Sequence, residues 1–171
     1  MEQRTWYKNP EMIIALSALF LGLITASISI YSASIDRAYA RASVWPRLEL
    51  SRSVMAESFS YNVANNGTGP AIIKHTLVKL NDEYINNWWD IASFSRVTQS
   101  YIGGGTIPAG EVIKPLVYRG DSTAHILELD RSIEIQICYC SIYDECWFVD
   151  RQNSHTRVGG CGRTPAYAFE Q

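Results

Sequence analysis

Three of the four cysteines fall within nine positions, in the segment ICYCSIYDECW at residues 137–147. The full spacing is C-x-C-x5-C-x14-C, and Cys161 near the C-terminus completes it. Clustered cysteines can form disulfides, bind a metal ion or carry out thiol redox chemistry. The choice also bears on the compartment, because disulfides persist in oxidising environments.

The residues around these cysteines alternate between apolar and polar side chains, which predicts a β-hairpin. One register sets apolar residues against apolar residues, with Tyr139 opposite Trp147 and residues 141–145 as the connection. In that register Cys140 lies directly opposite Cys146, at a separation that a disulfide can bridge. We therefore predict a Cys140–Cys146 disulfide on the solvent-side face of the hairpin.

Cys138 and Cys161 remain, and a bridge between them would attach the C-terminal tail to the sheet. Four cysteines allow three pairings, so this assignment is a geometric preference. The alternative is a zinc site in which Cys138, Cys140 and Cys146 are joined by Cys161 or a histidine, although the spacing matches no usual zinc-finger pattern. A redox centre would need the C-x-x-C motif at a helix N-terminus, which is missing. We expect no other cofactor.

No other polar residues form a catalytic motif. The pairs Asp121-Ser122 and Asp144-Glu145 occur in turn-like segments, and YIGGGT at 101–106 does not open a helix. There is no G-x-S-x-G, H-E-x-x-H or phosphate-binding loop. We therefore expect a noncatalytic protein. The histidines, none of which sits in a recognisable site, are His75, His125 and His155.

Residues 12–31 contain no charge and no proline. At 1.5 Å per residue they reach across a hydrocarbon core of roughly 30 Å, which predicts a transmembrane helix. Trp6, Tyr7 and Tyr31 flank the span where aromatic rings favour the headgroup layer. A signal peptide with a cleavage-like site at 38–40 is the rival, but its apolar region would be shorter, about 7 to 15 residues.

Small residues recur every four positions within this span, at Ala18, Gly22 and Ala26. They share one helix face, which would let a second helix approach closely and form a homo-oligomer.

The orientation of the span is set by two opposing signals. Arg4 and Lys8 precede the span, whereas four arginines follow it, which favours a cytoplasmic β domain. An even number of cysteines favours an oxidising compartment instead. We predict that the β domain lies in the oxidising compartment, which in a bacterium would be the periplasm outside the inner membrane, with the cytoplasmic orientation as the alternative. The four arginines are Arg37, Arg41, Arg47 and Arg52.

The composition is that of a folded chain, with 171 residues, 47% hydrophobic and 19% charged. The net charge is −2, and residues 53–171 hold nine basic against thirteen acidic side chains. Binding to phosphate backbones needs clustered basic residues, so we expect no nucleic-acid partner.

Beyond Pro46 the apolar pattern has a period of two, which predicts an antiparallel β-sandwich of the immunoglobulin-like class. One segment, 81–97, has helical spacing instead, and Asn81 or Asp82 would cap a short helix that packs Trp88 and Trp89 on the core. The predicted strands are 46–51, 59–65, 71–80, 111–118, 125–129, 133–140 and 146–151. The predicted organisation is tail 1–11, span 12–31, helical stalk 32–45, sandwich 46–151 and tail 152–171.

FSYNVANNGTGPAIIKHTLVKL at 59–80 resembles the bacterial modules called cell-adhesion-related domains and other immunoglobulin-like sandwiches, in which two strands flank an Asn-x-Gly-x-Gly-Pro-Ala-like turn. IPAGEVIKPLVY at 107–118 and IEIQICYCSIYDECWFV at 133–149 look like the later strands and terminal hairpin. The resemblance covers at most 46–151, and the tryptophans and cysteines depart from it. We interpret Asn66-Gly67 as a turn with positive φ.

The resemblance implies a binding or scaffold module without chemistry of its own. Its partners would be the lipid bilayer and other membrane or envelope proteins. A membrane-tethered sensor of a small ligand, acting through helix oligomerisation, is the alternative function.

Overall fold

The structure, a computed structural model, describes residues 9–91, 97–120 and 122–170. The chain divides into two compact units at Ala42 and Ser43. The first unit is formed by a single helix, α1 (Pro10–Ser43), which includes the predicted span and the predicted stalk except for residues 44 and 45. It is long and apolar enough to cross a membrane. The flanking residues Arg4, Trp6, Tyr7 and Lys8 lie outside the described residues.

The hydroxyl groups in the span bond to the helix itself. Ser17 Oγ donates to the carbonyl of Ile14 at 2.8 Å, and Thr25 Oγ1 donates to the carbonyl of Gly22 at 2.9 Å. Ser27 and Ser29 bond in the same way to carbonyls four residues earlier. Hydrocarbon offers no partner for a polar group, so these bonds suit a helix surrounded by lipid.

The second unit is built from two antiparallel sheets, and the mainly β fold class is confirmed. The four-stranded sheet has the order β1 (Leu48–Val54), β2 (Ser58–Asn65), β7 (Val112–Arg119), β5 (Val97–Gln99). The six-stranded sheet has the order β10 (His155–Val158), β9 (Cys146–Asp150), β8 (Ile133–Cys140), β3 (Ala71–Leu80), β4 (Glu83–Ile85), and β6 (Gly105–Ile107) also pairs with β3.

The core lies where alternate residues of the two sheets face each other. Phe59, Tyr61 and Val63 of β2 are buried, as the period of two predicts. The same alternation buries Ile133, Ile135, Ile137 and Tyr139 of β8.

The predicted strand 125–129 is wrong. Residues Ala124–Asp130 form a short helix, α2, which follows Thr123 at the N-cap position. An apolar run this short fits either a strand or one helix face. The last residue of the helix, Asp130, is buried and accepts hydrogen bonds from Tyr61 of the four-stranded sheet and from Arg151.

The predicted helix over 81–97 is also wrong. Asn81 and Asp82 have φ of 49° and 67° and turn β3 into the short strand β4. A single 3₁₀ turn follows at Trp88–Asp90, and Asn87 caps the start of this turn through a capping box with Asp90. Residues 92–96 of the prediction lie outside the described residues. The short strands β4, β5, β6 and β10 were not predicted.

The two tryptophans have different environments. Trp88 is 0% exposed and packs in the core, whereas Trp89 is 57% exposed. The prediction that the pair packs on the core therefore holds for Trp88 alone.

The glycines of the NNGTGP turn allow its backbone to pack closely against the backbone of the preceding segment. Neither Gly67 nor Asn66 has positive φ, so that interpretation is wrong. A Cβ at Gly67 would collide with the backbone of Trp45–Arg47, and one at Gly69 would collide with that of Val44. The turn therefore lies flat against the chain that enters β1.

Candidate functional site

The hairpin of β8 and β9 has the predicted register. Tyr139 pairs with Trp147, and Cys140 pairs with Cys146. The connection closes where Ser141 N donates to Glu145 O at 2.8 Å, and Ser141 Oγ accepts bonds from backbone amides of the same turn. The register prediction is confirmed, because only this pairing keeps the apolar residues on one face.

Both disulfides are the pairs predicted from the sequence. Cys140 is bonded to Cys146 within the hairpin, and Cys138 is bonded to Cys161 of the tail. Sγ of Cys140 lies 3.6 Å from Sγ of Cys161, so the two bridges touch. None of the four sulfurs is a thiolate in this state, and zinc needs thiolate ligands.

The cysteine face is not solvent-side, which corrects the sequence prediction. Cys138, Cys140 and Cys146 are all buried. His75 and Phe148 flank Cys138 on the neighbouring strands, with ring centroids 5.9 Å apart, and the bridge to Cys161 ties the tail to this face. The alternation of apolar and polar residues in the hairpin could not predict that the tail covers this face, because the alternation carries information on the two strands only.

The tail is held at a second point by Phe169. Its ring is buried 4.8 Å from that of Trp88, and its backbone amide donates to Thr76 O at 2.8 Å. Thr76 lies between the parts of β3 that pair with β6 and with β4. The tail therefore occupies a gap along the outer edge of β3, and Glu170 N bonds to Asn86 O beside it.

Exposed aromatic side chains surround the end of this tail. The rings of Tyr84 and Tyr167 lie 4.2 Å apart. Tyr101 lies beside Gly103, whose Cα closely approaches the carbonyl of Phe169. Trp89 follows Trp88, whose ring contacts Phe169. We call Tyr84, Trp89, Tyr101 and Tyr167, each at least 42% exposed, the aromatic rim.

A buried ionic cluster lies at the other end of the β8–β9 hairpin. Asp130, which is 0% exposed, accepts hydrogen bonds from Tyr61 Oη and Arg151 Nη2 at Oδ1, both at 2.7 Å. Arg52 Nη1 is bonded to Oδ2 of the same carboxylate. Arg151 Nη1 also donates to the carbonyls of Asp130 and Ile133. We call Arg52, Tyr61, Asp130 and Arg151 the Asp130 cluster.

The electrostatics of the cluster centre on Tyr61. Burial raises the pKa of its phenol above the usual range, and the charges of Arg151 and Arg52 only partly oppose this. The tyrosine is therefore a neutral donor to Asp130. The guanidinium of Arg151 also lies over the Tyr61 ring, 5.6 Å from its centroid.

The sequence analysis missed this cluster, although alternation carries a signal for it. Arg52 is in phase with the inward residues Leu48 and Leu50 of β1, and Arg151 is in phase with Trp147 and Val149 of β9. An arginine at an inward position requires a buried partner. That partner, Asp130, was hidden because its segment was taken for a strand.

The cluster lines a cavity of about 410 Å³ that opens between the two sheets. Leu50, Val63 and Ile135 form part of its wall, while Arg131 joins the cluster residues around it. A second cavity of about 420 Å³ lies on the other side of Arg131 and Arg151 and includes Lys79, Glu134 and Asp150. Site volumes of this order are typical for small molecules.

The predicted helix-packing face is on α1. Ala18, Gly22 and Ala26 are all exposed, and a Cβ at Gly22 would meet no atom within 4 Å. Self-association through this face stays a prediction.

The histidines do not come together. His75 is buried, and desolvation lowers the pKa of its imidazole. A ring nitrogen of His155 lies 2.8 Å from the carbonyl of Leu48, and His125 meets the ring of Tyr118 edge-on at 5.3 Å. Asp144, with φ of 56°, belongs to the hairpin turn, and Asp121 lies outside the described residues.

Comparison with models of known protein families gave no match, and a search of curated proteins found none of significant similarity.

Proposed function

We propose that the protein is a noncatalytic, single-pass membrane protein whose β domain docks onto another membrane or envelope protein. The observation that carries the proposal is the aromatic rim. Tyr167 of the tail contacts Tyr84, and the exposed Trp89 and Tyr101 belong to segments that contact Phe169 of the same tail, which is fixed by a disulfide and by the buried Phe169 ring. Tyrosine and tryptophan on a rigid support are the residues that most often anchor protein interfaces.

One sheet edge is already occupied, which favours the rim over strand addition there. Asn153 donates from Nδ2 to Leu50 O and accepts from Leu50 N at Oδ1, at 3.0 and 2.7 Å. His155 bonds to the carbonyl of Leu48 on the same strand. The edge of β1 therefore has these backbone groups satisfied, and it is a poor template for a partner strand.

The immunoglobulin-like character and the compartment belong to the same proposal. Two facing antiparallel sheets support the sandwich, and two disulfides support an oxidising compartment. We place the β domain in the periplasm of a bacterium, anchored in the inner membrane by α1.

Site-specific photo-crosslinking in intact cells tests docking. A photoreactive amino acid replaces Trp89 or Tyr101 of the rim, and Tyr143 of the hairpin turn serves as the matched control, being 46% exposed. We expect one adduct of a single mass from both rim positions and none from the control. Equal labelling at all three positions would contradict the proposal. An adduct of twice the mass of the chain would assign the rim to self-association instead.

Thiol alkylation with protease accessibility tests the compartment. A periplasmic β domain predicts cysteines that react with a mass-tagged maleimide only after reduction, and digestion from outside the inner membrane. Free thiols in a protected domain would place it in the cytoplasm.

The alternative, a ligand sensor that acts through helix oligomerisation, is favoured by the cavity beside Asp130. All four cysteines are bridged, so a cysteine introduced at Gly22 would be the only free thiol. Oxidative crosslinking of Gly22→Cys, compared with Ile24→Cys on another face, tests helix pairing. Efficient crosslinking at 22 alone supports the relay, and equal or absent crosslinking at both positions contradicts it.

A further inference from the structure

The cavity of about 410 Å³ carries more positive than negative charge. Arg52, Arg131 and Arg151 line it, and Asp130 is the one acidic residue of its lining among the residues that the structure describes. Three arginines therefore line the cavity together with one aspartate. The second cavity is balanced differently, because Glu134 lies 3.8 Å from Lys79 and Asp150 accepts from the backbone amides of Gln152 and Ser154.

The capacity of Asp130 is already used. Its two oxygens accept from Tyr61, Arg151 and Arg52, and among the described residues no further carboxylate lies within 4 Å of the guanidinium groups of Arg52 and Arg151. The side chain of Arg52 is still 51% exposed, and Arg52 lines the cavity. Arg131 is exposed, and within the described ranges no carboxylate lies within 4 Å of it.

Arginines that outnumber the carboxylates around a cavity attract anions, and the attraction is stronger where the local dielectric is lower than that of water. The planar fork of arginine matches carboxylate and phosphate oxygens in pairs. Leu50, Val63 and Ile135 provide an apolar wall behind the charges. The site combines a polar end with an apolar wall, which is the usual composition of a small-molecule site.

We propose that this cavity binds a small organic dianion, a dicarboxylate or a phosphate monoester. The charge balance sets the number of negative charges, because three arginines against one aspartate leave an excess of two. Arg52 and Arg131 contact the anion, while Asp130 and Tyr61 hold Arg52 and Arg151 in position. Binding here is separate from docking at the aromatic rim and stands whether or not docking occurs.

Calorimetric titration of the full-length protein in detergent at low ionic strength tests this site. The probes are succinate and glycerol phosphate, with acetate as the monoanion control and succinamide as the neutral control. We expect one dianion per chain, bound on the order of tenfold more tightly than acetate, because one charge-assisted contact is worth at least that factor. Succinamide should give no binding.

The test variant is Arg131→Gln, since the guanidinium of Arg131 bonds to no described side chain and its loss leaves the fold intact. The matched control is Arg163→Gln, an exposed arginine of the tail. We expect Arg131→Gln to weaken dianion binding about tenfold with unchanged thermal unfolding, and Arg163→Gln to bind like the unaltered chain. Absence of dianion binding, equal binding of acetate, or an equal loss in both variants would overturn the proposal.

Discussion

The two ends of the β8–β9 hairpin are held to the rest of the domain by different chemistry. At the turn end, two touching disulfides fix the hairpin and the tail. At the open end, Asp130 joins α2 to β1, β2 and the residue after β9 through ionic and polar bonds. Covalent bridges withstand salt and acid but break on reduction, whereas the Asp130 cluster depends on an ionised carboxylate and is insensitive to reductants. Reduction should therefore weaken the turn end and leave the open end intact, whereas acid should weaken the open end and leave the disulfides intact.

The largest effect should follow loss of the buried charge. Asp130→Asn leaves two arginines without their carboxylate, and we expect the free energy of unfolding to fall by about 3 to 5 kcal/mol. Urea denaturation under oxidising conditions measures it. The control is Glu134→Gln, which breaks an exposed contact to Lys79 and should cost less than about 1 kcal/mol. Equal losses in both variants would mean that the cluster does not hold the open end.

Removal of the disulfides should come next, and the two bridges should differ. They close loops with sequence separations of 23 and 6 residues. Loop-closure entropy predicts a loss of roughly 3.4 kcal/mol for Cys138→Ser/Cys161→Ser and roughly 2.4 kcal/mol for Cys140→Ser/Cys146→Ser. Chemical denaturation of both double variants gives the comparison. A larger loss for the short loop would show that native-state packing outweighs chain entropy at this end.

Tyr61→Phe should have a smaller effect than either of these changes. It removes one donor to Asp130 but keeps the arginine bonds and the stacked contact with Trp88, 5.6 Å between ring centroids. A hydrogen bond to a charged group is worth about 1.5 to 3 kcal/mol, and we expect the lower end because Arg151 still serves Oδ1. Urea denaturation reports the change. No measurable loss would mean that the phenol hydroxyl is replaceable at Asp130.

The smallest effect is a pH dependence at the disulfide end. Burial lowers the pKa of His75, so below its ordinary value of about 6.5 the unfolded chain binds a proton that the folded chain does not. Stability should therefore rise with pH up to about 6.5 and then level off, with a slope of at most about 1.4 kcal/mol per pH unit. The free energy of unfolding of the unaltered chain and of His75→Gln, measured between about pH 5 and pH 8, isolates the contribution of His75. The same slope in both would assign it to other groups.

The sequence predicted best where one face of a strand pair must be apolar. The register of β8 against β9, and with it Cys140 opposite Cys146, follows from that single requirement. The bounds of β3 were also predicted to the residue, in this case from the turn-forming residues that flank the segment.

The parts that sequence reasoning could not supply depend on long-range contacts. Buried Asp130 has its partners far away in the sequence, Arg52 on β1 and Arg151 after β9, and its helix looks like a strand when its sequence is considered alone. The bridge from the tail to Cys138 was predicted, but the burial of the cysteine face beneath the tail was not. A local pattern reports which face a residue occupies, and a different part of the chain decides what covers that face.

The flat contact of the NNGTGP turn with the start of the β domain determines where the chain can be shortened. Thr68 N donates to Trp45 O, and Asn66 N donates to Arg47 O. Only a glycine fits at position 69, because a Cβ there would collide with the backbone of Val44. A soluble fragment that begins at β1 would lose these bonds. A fragment that contains the β domain without its anchor should therefore begin no later than Ser43, so that Val44, Trp45 and Pro46 remain in place to contact the turn.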